Sequence, residues 1–162
     1  MLSVTDLQQQ KALEWIVTLL QDQDMPFVVC GGLAAIGYGA SRPLNDIDLF
    51  VPDNHFSTIV EWGKDHITKP AQRYYESTEG WDVEYVQFVY DGIKIEVGNT
   101  KDVSIYDQVN RQWVALNIDF TRTRTVSVMG IPVPLMNRDQ LIAYKTLLAR
   151  PVDMADIQAM QQ

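Results

Sequence analysis

Gly31-Gly32-Leu33-Ala34-Ala35-Ile36-Gly37-Tyr38-Gly39-Ala40-Ser41-Arg42-Pro43-Leu44-Asn45-Asp46-Ile47-Asp48-Leu49 is the stretch that decides how the rest of the chain is read. It is entered from Phe27-Val28-Val29-Cys30, a short apolar run after Pro26 that suits a buried strand and that the glycine pair ends. Leu33 to Tyr38 can form a short helix, and Gly39 to Pro43 reads as a turn. Asn45 to Val51 then alternates polar and apolar residues as a strand, which Pro52 stops. Side chains alternate along a strand, so Asp46 and Asp48 share one face, about 7 Å apart. Two carboxylates so placed can hold a magnesium ion whose other ligands are phosphate and water, but do not complete a cage alone. An Asp-x-Asp strand by itself is also the pattern of a solvated strand end, and Gly-Gly by itself that of a tight turn. Together they say more, because Gly31 and Gly32 let an anionic phosphate approach backbone N–H groups at a helix start.

Working outward, Leu7, Leu13, Ile16, Val17 and Leu20 recur at helical spacing, and Thr5 with Gln8 has the form of a capping box. Asp53 offers an N-cap for a helix reaching about His66. Val83 to Tyr90 and Ile93 to Val97 are β-rich, and Asp91-Gly92 between them is the two-residue signal of a type I′ hairpin. The region from Thr100 to Val114 has no clear reading. Thr123 to Met129 and Ile131 to Pro134 suggest extended chain turning at Gly130. Asn137 can cap a helix carrying Leu141, Ile142, Tyr144, Leu147 and Leu148, and Pro151 suits the first turn of a last helix through Met160. No repeat or Pro/Gly/Ser-rich linker interrupts the chain. The expectation is an α+β fold: a short mixed sheet flanked by helices, one domain over 1–162, with 137–162 a C-terminal helical segment.

The 162 residues suffice for one core, burying roughly two-thirds of the surface an unfolded chain exposes. The 46% hydrophobic and 21% charged content is that of an ordinary globular protein. Cys30 is the one cysteine, so it forms no internal disulfide, and its apolar neighbours make it a buried small hydrophobe. A reducing cytoplasm is the expected compartment, since Asp6, Gln8, Gln9, Gln10 and Lys11 do not open a signal peptide. A net charge of −8 opposes broad binding to nucleic-acid backbone, which depends on Lys and Arg neutralising phosphates. A bound cation can reverse the sign of one cleft, so RNA is demoted rather than excluded.

The order strand, Gly-Gly, short helix, turn, Asp-x-Asp strand resembles the polymerase-beta-like nucleotidyltransferase superfamily. From Leu141 to Ile157, a helix with Lys145 and Arg150 ahead of the acids Asp153 and Asp156 is similar to small bacterial members related to antibiotic (lincosamide and aminoglycoside) and antitoxin-system nucleotidyltransferases. The similarities span most of residues 25 to 160. The resemblance implies a nucleotidyltransferase-like core and transfer of a nucleoside monophosphate from a nucleoside triphosphate to a hydroxyl acceptor, small or macromolecular. It also implies a two-metal carboxylate mechanism: two Mg²⁺ ions, or Mn²⁺ in their place, bridged by Asp46 and Asp48, with a third acid completing the metal shell and helping to deprotonate the acceptor hydroxyl. A third acid is expected on a later strand, and Glu96 in Lys94-Ile95-Glu96-Val97 is the candidate, its rival reading an outward polar residue on the hairpin. Many relatives carry Asp there.

Gly31, Gly32, Arg42 and Lys145 are the candidate nucleotide contacts. Arg42 can reach triphosphate from its loop or pair with a core acid, and Lys145 can meet phosphate or stand solvated on its helix. Asp153 and Asp156 read as acids favoured in a first helical turn. His55 and His66 lack companions at zinc-ligand spacing. Trp15, Trp62, Trp81 and Trp113 read as core or rim residues. Two other functions stay open: a non-catalytic nucleotide-binding or interaction protein, in which Glu96 lies away from the aspartates, and a toxin-like enzyme acting on RNA. Only about 25 residues follow Asn137, so a second subunit in a homodimer is one way to close the cleft, an open or vestigial cleft the others.

Overall fold

Val28 and Val29 are fully buried, and the strand they form, β1 (Val28–Cys30), is three residues long because Gly31 turns the chain straight into α2 (Gly31–Gly37). In the computed structural model, which describes residues 2–162, β1 lies at the middle of a nine-stranded mixed sheet. Its neighbour is β2 (Ile47–Val51), in which Ile47, Leu49 and Val51 are buried and alternate with Asp48. Beyond β2 the parallel strand β5 (Ile93–Asn99) follows, and beyond β1 the parallel strand β9 (Ile131–Leu135).

Asp91 and Gly92, at φ 51° and 81°, make the tight left-handed turn joining β4 (Trp81–Tyr90) to β5. β4 also carries β3 (Ile67–Glu76) along one side and β6 (Ser104–Asp107) near its start, and β6 pairs with β7 (Gln112–Ala115). β8 (Arg124–Val128) closes the other edge against β9, with Met129-Gly130 as their turn. The order is β7-β6-β4-β5-β2-β1-β9-β8, with β3 beside β4.

Among the described residues five α-helices cover this sheet. α1 (Val4–Asp22) buries Ala12, Leu13, Ile16, Val17 and Leu20 and packs on β4, β5 and β9. Its cap is Ser3, not Thr5: Ser3 Oγ accepts from the Asp6 N–H, and Asp6 accepts from the Ser3 N–H. A carboxylate at that position also suits the positive end of the helix, which Gln8 would not. α3 (Asp53–Trp62) stops at Gly63, and the chain reaches His66 through one 3₁₀ turn rather than a continuous helix. α4 (Arg138–Leu148) is capped by Asn137, and Ala149 in the left-handed region ends it before Pro151 opens α5 (Pro151–Met160). The fold is α+β with a mixed sheet, as the residue patterns predict, although β3, β6 and β7 are not foreshadowed in them. No helix among the described residues is long and apolar enough to cross a membrane.

Candidate active site

The site grows from one cross-strand row. Asp48 of β2 stands beside Cys30 of β1 on one side and Glu96 of β5 on the other. Glu96 pairs with Gln87 of β4, and Gln87 with Lys69 of β3. All five residues line a cavity of about 550 Å³, within the usual range for a small-ligand site. Asp46, just before β2, lines it too, and continuing the β2–β5 register by one residue sets Asp46 level with Lys94. Trp81, Tyr85, Tyr144 and Arg150 form further parts of the wall.

Three carboxylates facing one cavity disturb one another. Burial, then the charges of Glu96 and Asp46, push the Asp48 carboxyl up to about 8, against the opposing pull of Lys145 and Arg150. Glu96 is raised as well, by burial and by Asp46, with Lys69, Lys94 and a hydrogen bond to Asp48 working the other way. Asp48 and Glu96 thus hold a proton more tightly than free carboxylates, and a cation beside them would relieve the repulsion. Burial, then the charge of Asp48, raises the Cys30 thiol well above its ordinary value, so it stays protonated and does not compete for such a cation. The donors are therefore oxygens, the set that suits Mg²⁺ or Mn²⁺ rather than a thiophilic metal. Among the described residues no three or more His, Cys, Asp or Glu side chains are arranged as a ready-made metal cage. The acids can supply part of a shell, which is how magnesium is held when phosphates and water supply the rest.

The glycine pair sits where the chain must pass close to these acids. Gly31 has φ +63°, and a Cβ there would lie 2.5 Å from Asp48 Oδ2, so both the turn and the approach of α2 to Asp48 require glycine. The Gly31 N–H, a candidate phosphate donor, donates instead to the Tyr144 hydroxyl at 2.7 Å. Gly31 lines the cavity, whereas Gly32 does not and lies against the Arg42 guanidinium.

Arg42 and Lys145 are likewise absent from the cavity wall. Arg42 donates from Nε and Nη2 to the two carboxylate oxygens of Asp156, at 2.8 and 3.0 Å, which is its pairing with a core acid. Lys145 is neither solvated nor facing the cavity: it is 2% exposed and held by Asp156 at 3.0 Å and Asp153 at 3.3 Å. Asp153 and Asp156 are buried counter-ions; only Asp153 stands in the first turn of α5, Asp156 lying in the second, and Asp153 also receives Nε and Nη2 of Arg150. Lys69, Tyr74, Tyr85 and Arg150 are among the cavity residues that the sequence did not single out as contacts. Of these only Tyr85 falls on a stretch the sequence marks as β-rich, and a Tyr there is too common to point to a site.

No protein-family model matches the chain, and no curated protein matches it in sequence. Solved structures do match. A candidate nucleotidyltransferase from Thermotoga maritima superposes with a TM-score of 0.64 at 21% identity, covering 83% of this chain and 81% of its own. The chain has a nucleotidyltransferase fold. The lincosamide antibiotic adenylyltransferase LnuA, in a lincomycin-bound structure, matches with a TM-score of 0.63 at 12% identity over 94% of this chain and 96% of its own. ANT(2″)-Ia, in complex with adenylyl-2″-tobramycin, gives 0.61 at 11% identity over 94% and 87%. On this nucleotidyltransferase fold, the cavity with Asp46, Asp48 and Glu96 lies over the central strands β2 and β5.

Proposed function

We propose that the chain transfers a nucleoside monophosphate from a nucleoside triphosphate to a hydroxyl acceptor in the cavity over β2 and β5. The observation that carries this reading is the in-register placement of Asp48 beside Glu96, with Asp46 on the same cavity wall. Asp46 and Asp48 would hold Mg²⁺, with Glu96 next to them. When bound, the ion supplies charge stabilisation to the attacking and departing oxygens of an in-line displacement.

The chain's own residues account for the rest. Glu96 in its ionised form takes the acceptor's hydroxyl proton as the oxygen attacks the α-phosphorus. The bond from that phosphorus to the bridging oxygen breaks, and pyrophosphate leaves. Adenylyl transfer to a small acceptor is the chemistry named for LnuA and implied by the adenylyl-tobramycin bound to ANT(2″)-Ia. The same class of reaction is the one to test first here.

The competing non-catalytic reading calls for a Glu96 remote from the aspartates, and the β2–β5 register weighs against it. The test is calorimetric titration of each nucleoside triphosphate, with and without Mg²⁺, into wild type and Asp48→Asn. Magnesium-dependent binding that the variant loses supports the reading. Absence of binding by wild type, or binding indifferent to Asp48, overturns it.

A further inference from the structure

We infer that Lys69 on β3 is the residue that grips the outer phosphates of the bound nucleoside triphosphate, an inference that rests on the nucleotide reading above. Three cations line the cavity: Lys69, Lys94 and Arg150. Arg150 has two of its nitrogens on Asp153, at 2.6 and 3.0 Å. Lys94 is exposed, so its ammonium is hydrated and free to swing. Lys69 is partly buried and, among the described residues, has no carboxylate within ion-pair distance.

Neutral groups fix it instead. Its Nζ donates to the Tyr85 hydroxyl at 2.6 Å, and stands 4.5 Å from the centre of the Tyr74 ring and 5.1 Å from that of Tyr85. An ammonium has three donors, so two remain for a ligand. The aromatic clasp holds the long side chain in place before anything binds, which lowers the entropy cost of using it. The register gives direction. Asp48, Glu96, Gln87 and Lys69 follow one another across four adjacent strands. A ligand anchored by its α-phosphate at the acids and extended along this row carries its negative charge toward Lys69. Arg42 and Lys145, both bound to buried acids, cannot take that part without breaking those pairs.

The test compares nucleoside triphosphate with the corresponding monophosphate, in Mg²⁺, by calorimetry on wild type, Lys69→Met, Lys69→Arg and Tyr85→Phe, after circular dichroism confirms each fold. Lys69→Met should weaken the triphosphate at least about tenfold while changing the monophosphate by no more than about twofold. Lys69→Arg should recover most of the loss. Tyr85→Phe, which keeps the charge and removes its tether, should weaken the triphosphate selectively and by less, and it decides the matter if Lys69→Met does not fold. Wild type that binds both ligands while Lys69→Met weakens them equally, or neither, overturns the assignment of Lys69 alone. Wild type that binds no nucleotide overturns this inference together with the reading beneath it.

Discussion

Asp48 stands between a buried thiol and a second carboxyl in the same strand row, so its ionisation works against folding. Its folded value of about 8 lies above the roughly 3.9 of an unfolded aspartate. The folded state therefore binds the extra proton between those limits, and stability falls as pH rises from about 4 to about 8. Asp48→Asn removes that term. In the absence of metal its Tm at pH 8 should exceed that of wild type by at least about 2 °C, with the gap closing toward pH 4. A thermal melt series would show this, and a large loss of stability in the variant would instead mark Asp48 as structural. Gly31→Ala should behave oppositely. The left-handed backbone alone costs an alanine about 1–2 kcal/mol, and the added methyl would press on Asp48 Oδ2. Denaturant unfolding should record a loss of at least that size, and wild-type stability would mean that α2 can shift away from the acid. The aspartate pair was legible because a strand's period of two is a property of adjacent residues. The partner of Arg42 was not, because Asp156 lies 114 positions away and no local spacing names it, and Lys145, though only 11 positions from Asp156, meets it across the break between α4 and α5.

At the level of elements, the junction of α4 and α5 is held by charge where most of the molecule is held by apolar packing. Lys145 of α4 meets Asp153 and Asp156 of α5, and Arg42, in the loop before β2, ties the same Asp156 to the region of the aspartate pair. Burial raises the Asp156 carboxyl, but the hydrogen bonds from Arg42 and Lys145 outweigh it and hold the group below its ordinary value. Its contribution is thus present above about pH 4 and lost on further acidification, the reverse of Asp48. Lys145→Met would leave two buried acids short of a counter-ion and should cost about 3–5 kcal/mol. Urea unfolding of that variant would measure it, and a neutral result would show that Arg42 and Arg150 suffice. The capped helices α4 and α5 were readable from Asn137 and Pro151, whose preferences are local. β3 was not, since most of its residues are exposed, Pro70 interrupts it, and its pairing with β4 shifts register between Ile67 and Gln72. With no alternating apolar face, a strand leaves little trace in sequence.

Taken whole, the chain carries a net charge of −8, and Asp46, Asp48, Glu76, Glu79 and Glu96 all line its main cavity. Such a surface repels a polyanion at long range, yet the cations at the cavity are few enough and close enough to serve one short anionic ligand. The charge balance was legible from composition, but its uneven distribution was not, because β3 and the α4–α5 junction bring Lys69 and Arg150 to the acids from distant parts of the chain. This distribution separates two acceptor classes. Binding to an RNA backbone grows with the number of phosphates neutralised and falls steeply with salt. Mixed-sequence RNA at about 0.15 M salt should therefore neither shift in a gel with this protein nor raise its Tm, whereas Mg²⁺ with a nucleoside triphosphate at about 100 times its Kd should raise Tm by roughly 5–10 °C. Retention of RNA with a strong salt dependence would restore a macromolecular acceptor, because it would require a basic path to the cavity that the balance of charge around Asp48 does not provide.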